Sequence, residues 1–441
     1  MELMNIPRGK SPLATLALAS AACLLVVSIV VYPKQAFEAS LHGLTIWWNI
    51  VFPGLLPFLI LSEMLTGFGM MHFWGVLLDP FMRACFRLPG VSGWAVAMGA
   101  AAGYAAAAQS TARLRERNLI SRRDGNRLLA LSYSCSPVVI IGVVAAGFFG
   151  EPRLGWALVA VHFAAWLAVG LILRAVPDAN SRTSKPSGPP APSSATPRSA
   201  SSSVLRRALS AMHQARKEDG RSFGKLLGDA VLQSIAALMM IGGYMLFFSV
   251  LLEILRMIGL IPAMLRMAEA VLPATGELAG AAGALVTGLF ELHLGTYAAS
   301  RISLTPALQL ALAGAILAWG GFAAHAQVKS LVGDTDLSLR WFVAARLLHG
   351  LLAFALTIAC WKPLLSRFTA NGPDALPGAP PVPGRELPMV PDTGWLAPAA
   401  AAVPGSSAGI WQLWLDGLMW GCSALVLFAG LSIWYARRRA D

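Results

Sequence analysis

The chain has 441 residues, 56% of them apolar and 13% charged, where a soluble domain carries about 25% charged residues. That composition argues against a water-soluble enzyme, and apolar runs of about 20 residues make the length one polytopic membrane body. The formal charge of +12 suits nucleic acid, anionic lipid or cytoplasmic loops until its position along the chain is known.

The first apolar run, residues 13–32, follows Arg8 and Lys10. It is long for a signal peptide and lacks a small-residue cleavage pattern, so it predicts a retained helix within residues 1–40, its N-terminus in the cytoplasm. A second span over 44–66 returns inside, with Pro53 and Pro57 as kink points. Residues 91–112 are rich in Gly and Ala. Arg83 and Arg87 precede them, and Arg113, Arg115, Arg117, Arg122, Arg123 and Arg127 follow. A full crossing would leave one basic cluster outside, whereas a re-entrant hairpin turning near Gly103 keeps both inside. Spans over 128–149 and 156–173 then complete a first unit, 41–176.

Residues 177–222 read as a disordered, basic cytoplasmic linker, Ser/Pro-rich as far as Ser203. Contact with membrane lipid explains its charge better than nucleic acid does, so no nucleic-acid partner is expected. An interfacial piece at 223–232 leads into a span through Leu252. A second Gly/Ala-rich hairpin at 279–300 dips in from outside, and spans over 306–328 and 341–361 close a second unit, 223–361. A Pro-rich external loop, 362–410, leads to a final helix at 411–435 within 411–441, anchored inside by Arg437, Arg438 and Arg439.

The fold class expected is therefore an all-α polytopic membrane protein, with about eight transmembrane helices plus two re-entrant hairpins in an inverted repeat. Counting helix ends, all but eight of the 34 Lys and Arg fall on the cytoplasmic side, as positive-inside orientation requires. Sliding one half by about 190 residues sets Glu63 over Glu253, Gly69 over Gly259 and Val138 over Val328. The predicted span directions of the halves are opposite, the architecture with which secondary transporters build a midplane site from broken helices.

An ionisable side chain at the bilayer centre costs about 3 kcal/mol, so the few polar residues in the apolar runs are informative. The first hairpin offers Gly103, Tyr104 and Gln109, and the span after it Ser134, Cys135 and Ser136 ahead of Pro137, a sequence that favours an unwound turn. The second hairpin offers Glu291, His293 and Gly295; its following span offers Gly320, Gly321, His325 and Gln327. Unwound backbone presents free N–H groups that suit an anion, oriented by hydroxyls and imidazoles. Alternatively, Ser134 and Ser136 back-bond to carbonyls one turn earlier, and the glycines serve close helix packing. Glu291 needs a partner or a proton. The five cysteines show no disulfide framework or metal spacing and read as small packing residues. No cofactor motif and no nucleophile with a nearby base is present, so an enzyme is not expected.

The runs Pro53-Gly-Leu-Leu-Pro57-Phe, Arg87-Leu-Pro-Gly-Val, Gly103-Tyr104, Ser134-Cys-Ser-Pro137, Gly288-Leu-Phe-Glu-Leu-His-Leu-Gly295 and Gly320-Gly-Phe-Ala-Ala-His-Ala-Gln327 together resemble the YlbJ family of sporulation integral membrane proteins, also called stage V sporulation protein V. The resemblance spans about residues 40 to 360. It implies nucleoside-recognition Gate repeats related to concentrative nucleoside transporters, and a role moving dipicolinic acid across the outer forespore membrane. The substrate would be a small anion held by the residues above, with a second copy of the chain as a further candidate partner. Nucleoside transport, or a non-transporting scaffold acting through the linker, are the competing readings. Where the family reads Gly-Tyr-Pro-x-Gly-Ala, this chain has Gly103-Tyr104-Ala-Ala-Ala-Ala108, which implies a more helical hairpin tip.

Overall fold

The computed structural model describes residues 12–175, 204–271 and 276–361, and every regular element among them is a helix. Helices are what long apolar runs must form in lipid, where each backbone N–H and C=O has to be satisfied within its own segment. Five are long and apolar enough to cross a membrane: Pro33–Gly67, Pro152–Ala175, Phe223–Met257, Pro306–Leu331 and Leu339–Cys360. The predicted helix at 411–435 and the loop before it lie outside the described residues.

Helix α1 (Pro12–Val31) leaves Leu16, Leu24 and Val30 exposed, an apolar surface suited to lipid. Helices α2 (Pro33–Ile46) and α3 (Phe52–Gly67) join through a π-helical turn, Trp47–Val51. Pro53 accounts for that turn: it has no N–H and its ring crowds the carbonyl four residues back, so the preceding turn widens. The helix predicted at 44–66 thus begins at Pro33, Lys34 and Glu38 on its first turns lying 4.0 Å apart.

Helix α4 (Met70–Phe81) follows, a short element outside the predicted spans, with Gly75 set against the backbone of Trp94. Then come α5 (Ser92–Glu116), α6 (Arg122–Ser132), a π-helical segment Val139–Phe148, and α7 (Pro152–Ala175). Of the stretch read as a linker, residues 204–222 are described, and Val204–Asp219 form helix α8. It buries Ala208, abuts Gly69 through Met212 and Ala215, and is tied at its end by ions. Asp219 receives Arg216 at 3.0 Å and Arg221 at 2.6 Å, and Arg221 reaches on to Asp229 at 3.0 Å. The second half contains α9 (Phe223–Met257), α10 (Leu260–Val271), α11 (Gly276–Phe290), α12 (Leu292–Arg301), α13 (Pro306–Trp319), α14 (Gly321–Leu331) and α15 (Leu339–Cys360).

The opening elements of the two halves recur at a fixed offset. A shift of 190 residues carries Pro33 to Phe223 and Gly67 to Met257, the two ends of a 35-residue helix in each half. The same shift carries α4 onto α10, end to end. Gly69 and Gly259, which occupy the joints between these helices, are both left-handed, with φ of 79° and 83°.

Segments that the charge pattern assigns to one side also meet. Arg115 grips Asp336 with two hydrogen bonds of 2.9 and 3.0 Å, the Ser338 N–H donates to Asn126, and Arg174 donates to the carbonyls of Ala84 and Cys85. At the opposite end Tyr297 packs edge-on to both His42 and Phe148.

Candidate functional site

Four interruptions of the helices define the centre of the molecule. The first lies within α5, where Gly103 has φ 81° and ψ −177°. Helix runs on both sides of this one residue, and a Cβ placed on Gly99 would lie 3.0 Å from that of Ala107. Eight residues of straight helix would separate them by about 12 Å, so the chain folds back on itself here. Only the backbone angles demand glycine at 103, because a Cβ there would meet nothing within 4 Å. The second lies between α6 and the π-helical segment, where Tyr133 to Ser136 are unwound ahead of Pro137.

In the second half, α11 and α12 fold back in the same way at Glu291. The hinge is extended (φ −142°, ψ 128°), and the arms pack so closely that a Cβ on Gly295 would lie 2.2 Å from Gly288 Cα. The fourth break separates α13 from α14 at Gly320 and Gly321, both left-handed, with φ 85° and 78°.

These breaks touch one another in series. The Tyr104 ring, next to the first hinge, stacks on Tyr133 at 5.0 Å, and a Cβ on Gly320 would fall 1.6 Å from the Tyr133 hydroxyl oxygen. Gly321 in turn abuts Phe290 and Glu291 at the second hinge. Tyr133 is therefore the hub. Sequence reasoning passes over it, because an aromatic residue beside a polar turn reads as ordinary packing.

The broken ends are satisfied mostly by side chains, which is why they persist in an apolar body. At the C-terminal end of α6, Arg346 Nη2 donates to Ala130 O at 2.6 Å and Nη1 to Tyr133 O at 2.8 Å, while the Trp166 indole donates to Leu131 O. At the end of α11, Trp319 Nε1 donates to Leu289 O at 3.1 Å. The Trp319 carbonyl, close to the fourth break, lies 3.0 Å from His325 Nε2.

Glu291 caps α12: one carboxylate oxygen accepts from the Leu294 N–H at 2.7 Å, the other from His293 Nδ1 at 2.8 Å. Both side chains are buried. The partner that the sequence demands for Glu291 is thus two residues away. Ser134, also buried, places its Oγ 3.4 Å from His162 Nε2, and Ser136 Oγ accepts from the Val139 N–H, starting the next helix. The N–H groups of Ser134, Cys135 and Ser136 make no backbone hydrogen bond among the described residues.

The remaining expected residues divide. Cys135 is buried as a free thiol within the apolar core. Gly295 donates its N–H to Glu291 O, so its place is close packing of the two arms. Gln109 is exposed farther along the second arm of α5, and Gln327 donates to the sulfur of Met240. Two residues central to the geometry, Arg346 and His349, escape the sequence reading. They are legible as an Arg and a His three residues apart inside an apolar run, but the charge pattern places Arg346 with the cytoplasmic helix ends. It is fully buried instead.

The chain is 39% identical over 357 residues to the sporulation integral membrane protein YlbJ of Bacillus subtilis (strain 168), across 80% of this chain and 84% of that relative. No family model and no solved structure matches it.

Proposed function

The chain belongs to the YlbJ family of sporulation integral membrane proteins, and on that premise we propose that it is a secondary transporter. Its substrate is a small aromatic dicarboxylate, dipicolinic acid, carried across the outer forespore membrane during endospore formation. The observation that carries this reading is a chain of contacts joining four helix breaks, two from each half, in which Tyr133 touches the breaks at Gly103 and Gly320, and Gly321 reaches the one at Glu291. Such breaks are how transporters present backbone dipoles to a solute at membrane depth. Three consecutive N–H groups without backbone partners, at Ser134 to Ser136, suit a carboxylate, and the Tyr104 ring suits an aromatic face.

In this reading the two halves are inverted, the hinges at Gly103 and Glu291 are tips of re-entrant hairpins, and alternating access rocks the halves about the breaks. Two titratable groups, Glu291 and His293, sit where an incoming dianion would meet a carboxylate. Loading therefore brings a proton onto this pair, making transport proton-linked. The rival reading, kinship with nucleoside-recognition Gate repeats, would have nucleoside uptake as its consequence.

The test is complementation of a spore-former that lacks its own family member. Wild-type chain restores dipicolinate to the spores with synthesis in the mother cell unchanged. Spores that stay empty of dipicolinate, despite full membrane expression of the chain, refute the proposal.

A further inference from the structure

Arg346 presents a charge that the fold does not cancel. It sits on α15, one turn before His349, with no exposed surface. Its hydrogen bonds go to two backbone carbonyls, Ala130 O and Tyr133 O, and to His349 Nδ1 at 3.0 Å. A guanidinium can only donate, so that His349 nitrogen is an acceptor and the imidazole is neutral. Its other nitrogen then donates to the His162 carbonyl at 3.1 Å. Among the described residues no carboxylate lies within ion-pair distance of Arg346, and its Nε has no hydrogen-bond partner.

What offsets the charge is dipolar: the C-terminal end of α6 and the face of the Tyr133 ring, 4.9 Å from the guanidinium carbon. A buried cation is costly, and capping two carbonyls does not require one, since the Trp166 indole caps Leu131 without any charge. In a low-dielectric interior the surplus positive potential extends over several ångströms. It falls on the unwound turn, which runs from Tyr133, the residue whose carbonyl and ring Arg346 holds, to Ser136, and there it opposes the field of Glu291. The carboxylate of Glu291 is engaged by His293 and the Leu294 N–H.

We propose that Arg346 is the charge-selecting residue of the transport site, positioned behind Tyr133 so that its field makes the unwound turn prefer a dianion to a monoanion. The role is electrostatic and positional, without direct contact to the solute. This inference rests on the transporter reading above and specifies which charge state of substrate that site takes.

The test measures binding of dipicolinate and of its monoacid analogue picolinate to purified full-length protein, as wild type, Arg346→Gln and Arg346→Lys. The wild type prefers dipicolinate. Arg346→Gln loses that preference by about tenfold, the scale of one extra unit charge felt across about 10 Å of protein, while picolinate binding changes less. Arg346→Lys keeps the preference but melts at lower temperature, since a lysine lacks the planar fork with which the guanidinium meets both carbonyls. Equal loss of both ligands in either variant shows a merely structural role and overturns the inference. A dipicolinate-to-picolinate ratio that is unchanged in Arg346→Gln overturns it too. If Arg346→Gln does not fold, the neutral Arg346→Met takes its place and is judged by the same ratio. Wild-type protein that binds neither acid would instead defeat the transporter reading itself.

Discussion

Gly320 and Gly103 are both glycines with positive φ, yet their neighbours give them different sensitivities. Alanine at 320 meets the left-handed backbone, costing about 1–2 kcal/mol, and also the Tyr133 hydroxyl, an overpacking penalty of about 1–3 kcal/mol. Alanine at 103 faces open space and carries only the backbone penalty of about 1–3 kcal/mol. Thermal unfolding in detergent should therefore show a larger drop for Gly320→Ala than for Gly103→Ala, and equal drops would contradict the packing described. At Glu291 the prediction concerns protons. Gln keeps an acceptor for the Leu294 N–H but cannot titrate, so Glu291→Gln should transport with a flattened pH profile. An unchanged rate and pH profile would remove the proton-linked role. Much of this is legible from residues alone, because Ser134, Glu291 and His325 are polar where polarity is expensive. Arg346 is not, because its partners, Ala130 O and Tyr133 O, are backbone atoms over 200 residues away.

Among the elements, the breaks depend on partners from other helices. The end of α6 is held by α7 through Trp166 and by α15 through Arg346. Pro137 and the hydroxyl cluster announce the unwound turn in the sequence; the side chains that satisfy its open carbonyls do not show there. The loop after α14 is tied to the second arm of α5 by the Arg115–Asp336 pair. Its hydrogen bonds hold the Asp336 carboxyl below the usual carboxylate value. The pair therefore stabilises the fold above the ordinary aspartate pKa, and that contribution is lost as pH falls through the lowered one. Both groups are partly exposed, so the effect is about 1 kcal/mol at most. Asp336→Asn and Arg115→Gln should each lower the melting temperature slightly near neutral pH. The double variant should fall no further than Arg115→Gln, which also loses the bond to the Ile120 carbonyl, and simple additivity would show that the pair does not couple. Helix α8 escapes the sequence reading because its stretch continues the polar composition of the preceding linker; its last residue, Asp219, pairs with Arg221, which in turn reaches Asp229.

For the whole molecule, the long apolar helices and the 190-residue offset between the first elements of the halves are visible in the sequence, since lipid enforces such helices. The convergence of the four breaks through Tyr133 and Gly321 is not visible there, because it depends on how the halves dock. On that convergence rests the idea of a single solute site shared by the two halves. Uptake of labelled dipicolinate and labelled uridine into proteoliposomes containing the purified chain bears on it without intermediaries. Saturable dipicolinate uptake is expected, abolished by Gly320→Ala as well as by Ser134→Ala, one variant from each half, with uridine excluded. Uridine uptake without dipicolinate uptake, or dipicolinate uptake indifferent to both substitutions, would rule out a shared dicarboxylate site.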